Sequence, residues 1–197
     1  QFNSIEHNAT FYRIFSPEQV EKWRLKTPDD FKFFPKVTKL ISQIKRLKDT
    51  ERIVDEYIHS IAQFKGKLGM CFLQTPQTFA PKSFGDVESF LNYWPKEFPL
   101  AMEFRHPDWF ANQVINQELT DLLKAHNTSH IITDVAGRRD MIHCRLTSKS
   151  VFIRFTGANH ASDYTRLDDW VERLSQWTDL GIENIYFFVH QNLELES

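Results

Sequence analysis

A series of short apolar runs set between amphipathic stretches constrains this chain more than any other feature. FNSIEHN (2–8), FKFFPKV (31–37), LGMCFLQ (68–74), LAMEFRH (100–106), HIITDV (130–135), VFIRFTG (151–157) and IYFFVHQ (185–191) are rich in β-branched and aromatic residues and too short for buried helices. They read as seven strands. Between them apolar side chains recur at helical spacing. Ser16-Pro17-Glu18-Gln19 supplies an N-cap, an N1 proline and a capping-box glutamine ahead of Val20 and Trp23. Further stripes run through Leu40, Ile41, Ile44 and Leu47, through Ile53, Tyr57, Ile58, Ile61 and Phe64, and through Val87, Phe90, Leu91 and Trp94. Leu119, Leu122 and Leu123 follow, then Leu167, Trp170, Leu174 and Trp177, which stop at Gly181. Tryptophans at this spacing read as core, and the connection 136–150 shows no helix pattern.

Strands alternating with helices imply right-handed crossovers and a mainly parallel sheet. The strand-to-strand repeat suits a TIM-barrel-like (β/α)8 fold, at roughly 30 residues per unit. The expectation is therefore an α/β chain of that class whose first strand lies before residue 1. An open doubly wound sheet is the alternative, but no GxGxxG or GxxxxGK[ST] loop marks its nucleotide crevice. At 197 residues, opening with QFNSIEHN and closing with QNLELES, the chain reads as one domain over 1–197, cut at both ends.

Within 100–106 the alternation sends Leu100, Met102 and Phe104 one way, toward helices, and Ala101, Glu103 and Arg105 the other. The same phase on the other strands directs Ser4, Glu6 and Asn8, Phe34 and Lys36, Met70, Phe72 and Gln74, Ile132 and Asp134, Phe152, Arg154 and Thr156, and Tyr186, Phe188 and His190 inward. In each set a polar residue stands at the C-terminal end, the face where barrel enzymes build their sites. Glu6, Asn8, Lys36, Gln74, Glu103, Arg105, Asp134, Arg154 and His190 are expected to converge there, joined from loops by Tyr12, His106, Trp109 and Tyr164. The firmest expectation is that Glu103, Arg105 and Arg154 share one pocket. A structural ion network joining those three is the competing reading for any one of them. Against it for the whole ring, burying many unused charges costs several kcal/mol per ion unless they are paired. His7 falls on the outward phase and Lys32 at the bottom rim.

FNSIEHNATFY, FKFFPKVT, LGMCFLQTPQTF, AMEFRHPDWF and VFIRFTG, in this order, resemble the YecE-like proteins, a bacterial family classed as a domain of unknown function. The Glu-x-Arg-His-x-x-Trp segment at 103–109 and the Glu-x-Asn-x-x-Phe-Tyr segment at 6–12 carry the resemblance together. It implies a TIM-barrel-like fold with a first strand and a Gly-rich, Trp-containing loop missing here, and it names no reaction. The chain departs from the family pattern at Thr156, where histidine is common, and at His190-Gln191, where an Asn-Asn pair is common.

Glu6, Glu103 and Asp134 offer carboxylates for acid–base work. Arg105, Arg154 and Lys36 could hold an anionic group, and Trp109 and the tyrosines could stack on a sugar or base. The reading is a hydrolase, lyase or isomerase acting on a small anionic or carbohydrate-like substrate. No GxSxG occurs and Cys71 falls on the outward phase, so no nucleophile stands out. No cofactor is implied. A divalent metal on Glu6, Glu103, Asp134, His106 and His190 is ranked lower, because no local metal spacing such as HExxH occurs.

The alternative from another class is a non-catalytic binding protein for nucleic acid, using the basic segment Lys36–Lys48. Acidic residues follow that segment at once, so a solvated helix face is its preferred reading, and a net charge of −2 with mixed signs lowers the prior of nucleic-acid binding. Two separated cysteines, no signal peptide and no apolar run of transmembrane length point to the reduced cytoplasm and to no membrane partner. Oligomeric state is open.

Overall fold

A computed structural model describes residues 2–111, 114–136 and 142–191. The chain forms two compact units that divide after Asp108, and both are α/β. The first contains β1 (Ser4–His7), a single-turn α1 (Ala9–Tyr12), α2 (Pro17–Leu25), β2 (Lys32–Pro35), α3 (Glu51–Ile61), β3 (Cys71–Gln74), α4 (Phe84–Tyr93) and β4 (Leu100–Glu103). β1 pairs in parallel with β2, and β3 with β4. Parallel bridges from Phe33 to Leu68 and from Lys36 to Phe72 join β2 to the segment of β3. Each strand therefore neighbours the next in sequence.

Between those two bridges the register slips by one residue, and Gly69 lies in the gap. Its N–H donates to the Phe33 carbonyl at 2.8 Å, and a Cβ there would stand 2.5 Å from Phe34 Cζ. Only a residue without a side chain lets the buried Phe34 ring lie against this backbone.

The helix starts follow the sequence signals. Ser16 Oγ accepts the Gln19 N–H at 3.4 Å, with Pro17 in the first turn of α2. The stripe Leu40–Leu47 is not an α-helix. It is one π-helical turn, Leu40–Ile44, after which Arg46, Leu47 and Asp49 take left-handed conformations. Ile41 and Leu47 are buried as the stripe requires, and the Leu47 N–H returns to the Ile41 carbonyl at 3.0 Å. Leu40 and Ile44 of the same stripe are exposed, so the wide turn and reversal bury only half of it, and Lys36–Lys48 is not a continuous basic helix.

The second unit begins with an antiparallel pair, β5 (Phe110–Ala111) and β6 (Val114–Ile115). It continues with α5 (Gln117–Ala125), β7 (Ser129–His130), β8 (Ile132–Val135), β9 (Ser150–Gly157), α6 (Ser162–Asp179) and β10 (Asn184–Gln191). β8, β9 and β10 lie parallel and in sequence order. Trp170 and Trp177 of α6 pack on Ile132, Val151, Ile153 and Phe155. Burying a large apolar side chain contributes about 1.5–3 kcal/mol, so this face fastens the helix to its sheet. α6 ends where Gly181, at φ +90°, donates to Thr178 O at 3.0 Å and Ile182 donates to Trp177 O at 3.1 Å.

All seven runs contain strands, but HIITDV is two of them, with Ile131 between. In the connection 136–150, residues 137–141 lie outside the described residues and 142–149 hold no helix. Among the described residues the strand pairings form no closed ring, and no helix is long and apolar enough to cross a membrane.

A candidate functional site at the strand ends

Strand register decides which polar side chains share a face. Glu6 lies beside Phe34, Lys36 beside Phe72, and Gln74 beside Glu103. Laterally paired residues point the same way, as do residues two apart. Glu6, Lys36, Gln74 and Glu103 therefore occupy one face of the first unit's sheet, toward the C-terminal ends of its strands.

The side chains are connected. Lys36 Nζ donates to Gln74 Oε1 at 3.1 Å, and Gln74 Nε2 donates to Glu103 Oε2 at 2.9 Å. Arg105 Nε stands 3.6 Å from the other carboxylate oxygen, Oε1. With a cation on one side and a carboxylate on the other, the Gln74 amide has one favourable orientation. The Lys36 ammonium also lies 4.5 Å from the centre of the Phe11 ring and 5.7 Å from that of Phe72. Glu103 is 4% exposed, whereas the Arg105 side chain is 38% exposed. A buried carboxylate thus stands beside a guanidinium that reaches solvent.

Backbone contacts hold this group in place. Gln43 Nε2 donates to Gln74 O at 2.8 Å, and Thr75 Oγ1 donates to Glu103 O at 3.1 Å. Thr10 Oγ1 reaches both His7 O and Lys36 O at 2.8 Å, stitching α1 to the end of β2. Gln43, Thr10 and Phe11 escape alternation because they come from turns rather than strands. The only signal for Phe11 is its place in the Glu-x-Asn-x-x-Phe-Tyr segment.

The remaining first-unit candidates lie at the rim. Asn8 is exposed directly after β1 and precedes α1. Tyr12 is 69% exposed, with Lys39 Nζ 5.7 Å from its ring centre. His106 Nδ1 accepts the Asp108 N–H at 3.1 Å, so its ring braces the turn that follows β4.

In the second unit Arg154 lies beside Phe188 and Thr133, and His190 beside Thr156, all on one face. The two departures from the YecE-like pattern, Thr156 and His190, are therefore cross-strand neighbours. Tyr164 is 75% exposed in the first turn of α6.

Two expectations need correction. Asp134 pairs with Phe155, which packs under α6, so it faces the helix and not the side of Arg154. There its Oδ1 accepts from Arg166 at 2.7 Å and its Oδ2 from Trp170 Nε1 at 2.9 Å. The polar residue at the end of this run was read as the inward one, whereas Ile132 and Asp134 both lie on the face covered by α6. Arg166, missed in the sequence, also donates to Asp163 at 3.0 Å and lies 4.2 Å over the Phe155 ring. Its signal was its i,i+4 spacing to Trp170. Trp109 is only 1% exposed, so its ring offers no open face for stacking.

Cys71 is buried and burial pushes its thiol up, which keeps it protonated and unreactive. Among the described residues no three His, Cys, Asp or Glu side chains converge as a metal ligand set.

The sequence matches, over residues 1–197, the family model described as "Protein of unknown function DUF72". The chain belongs to the DUF72 family. Its DUF72 relatives include the protein YecE of Escherichia coli K12, 31% identical over 96% of this chain and 76% of the relative. The YunF protein of Bacillus subtilis is 29% identical over 68% of this chain and 49% of its own length. A solved DUF72 structure from Enterococcus faecalis V583 superposes with a TM-score of 0.79 at 18% identity, over 98% of this chain and 84% of that one. At that identity the likeness concerns the fold.

Proposed function

We propose that the protein is an enzyme whose polar strand ends bind a small anionic or carbohydrate-like substrate and perform acid–base chemistry on it. The observation that carries this reading is the run Lys36–Gln74–Glu103–Arg105. A buried carboxylate beside a solvent-facing guanidinium can exchange a proton with a ligand that the guanidinium orients. Glu103 is the acid–base group, with Glu6 the second carboxylate on the same face. Lys36 and Arg105 bind the anionic group, and Asn8, Tyr12 and His106 border it. The reaction is of the hydrolase, lyase or isomerase type without a covalent nucleophile.

The fold proposed with it is a TIM-barrel-like (β/α)8 arrangement. Parallel pairing in sequence order, from β1 to β4 in the first unit and from β8 to β10 in the second, is the strand pattern such a fold uses and supports the reading. Arg154 and His190 are the second unit's polar strand ends, and Tyr164 is its exposed aromatic.

Thermal unfolding against a panel of sugar phosphates, phosphorylated acids and dicarboxylates tests the reading. Stabilisation by one anionic class, lost in Arg105→Met, is expected. Stabilisation that is equal in Arg105→Met, or none from any compound, overturns it.

A further inference from the structure

Charge is unevenly spread over the first unit. Three stretches, 7–17, 31–48 and 75–85, hold eight Lys and Arg residues and no Asp or Glu, in a chain whose net charge is −2. They meet near the C-terminal ends of β1, β2 and β3. Thr10 Oγ1 donates to Lys36 O at 2.8 Å, and Thr38 Oγ1 to Phe11 O at 3.4 Å. Arg46 donates to Thr78 Oγ1 at 2.8 Å and to Thr78 O at 2.9 Å.

Three of these cations are held against aromatic rings. The Arg13 guanidinium lies 4.3 Å from the Phe15 ring centre, the Lys39 ammonium 5.7 Å from that of Tyr12, and the Arg46 guanidinium 5.5 Å from that of Phe79. Of Arg13, Lys39, Lys45, Arg46 and Lys48, only Lys48 is ion-paired among the described residues, to Asp86 at 3.7 Å. Rings, a hydroxyl and a carbonyl fix side-chain positions without cancelling charge. The field is therefore left for an outside anion.

A plain solvated helix face does not explain this arrangement. Residues 40–44 form a π turn, and Arg46 and Leu47 are left-handed, so the cations do not line one face of an α-helix. The most exposed aromatic of the patch, Tyr12, carries a lysine over its ring.

We propose that this surface binds single-stranded nucleic acid, with backbone phosphates on Arg13, Lys39, Lys45 and Arg46 and a base stacked on Tyr12. Cations that track a backbone beside an aromatic platform are what sequence-tolerant strand binding requires. A single strand is favoured over a duplex because stacking on Tyr12 needs an unstacked base. An anionic membrane is disfavoured because surface insertion uses an amphipathic helix, and the patch offers the single-turn α1 and a five-residue π turn. The proposal shares Tyr12 with the acid–base reading but does not depend on Glu103.

Fluorescence anisotropy of a short labelled oligo(dT) or oligo(U) with the whole chain is the test. Binding is expected at about 10⁻⁶–10⁻⁴ M, with log K falling by about 0.7 per phosphate contact for each decade of salt. Lys39→Gln with Lys45→Gln should reduce that slope by about 1.4. Tyr12→Ala should weaken binding about 5- to 150-fold with the slope unchanged, and Glu103→Gln should not alter it. Absence of salt-dependent binding overturns the proposal. So does inorganic polyphosphate binding as well as the oligonucleotide while Tyr12→Ala has no effect, or binding to phosphatidylserine vesicles with none to the oligonucleotide.

Discussion

Gln74 Nε2 donates to Glu103 Oε2 at 2.9 Å while the oxygen of the same amide accepts from Lys36 at 3.1 Å. One neutral side chain thus links an ammonium on one strand end to a buried carboxylate two strands away. Gln74→Leu removes a donor from Glu103 and an acceptor from Lys36 with little change in volume. A loss of about 1–3 kcal/mol in urea unfolding is expected, together with weaker binding of any anion that stabilises the parent.

Asp134 and Arg166 form a bridge whose groups are almost wholly withdrawn from water. Asp134→Asn leaves the guanidinium buried with half its partner, and a loss of about 3–5 kcal/mol is expected. The double change Asp134→Leu with Arg166→Leu should cost less than the sum of the single changes, measured as a double-mutant cycle. Additive losses would mean that the two residues act separately.

Gly69→Ala drives a methyl group into the Phe34 ring. Overpacking of this kind costs about 1–3 kcal/mol. Pairing it with Phe34→Leu, which vacates the space above Gly69, should recover part of the loss in denaturant unfolding.

His130 and His143 are buried with ring centres 3.9 Å apart, nearly parallel, beside Phe110. Burial pushes His143 down to about 4, opposed by its contact with the Ile131 carbonyl. Burial, then the neighbouring His143, hold His130 well below the usual imidazole range. Below pH about 6.5 the unfolded chain takes up protons that the folded chain excludes, so stability falls as pH drops toward 4. For His143 alone the loss at pH 5 is about 2 kcal/mol. His143→Phe, which keeps the stack, should show a smaller drop in urea midpoint between pH 7 and pH 5 than the parent. An equal drop would place the acid sensitivity elsewhere.

Strand positions and the polar ends of β2, β3 and β4 were legible because period-2 alternation holds through uninterrupted strands, as Lys36, Gln74 and Glu103 demonstrate. Asp134 was misread because a polar residue at the end of a strand run was taken to mark the inward face, whereas this one accepts from Arg166 and Trp170 of α6. Trp109 was placed at the mouth as a loop residue after Arg105-His106, yet it is buried at the end of the short 3-10 turn Pro107–Trp109. The reversal at Arg46 and Leu47 was hidden because neither residue is a usual occupant of the left-handed region.

The most direct measurement is the unfolding free energy of Glu103→Gln beside the parent chain. Arg105 is part-exposed and water can take over its solvation, so a carboxylate held for chemistry should be replaceable with stability unchanged or raised. A loss of about 3–5 kcal/mol would instead identify Glu103 as half of a structural bridge and contradict its role as the acid–base group.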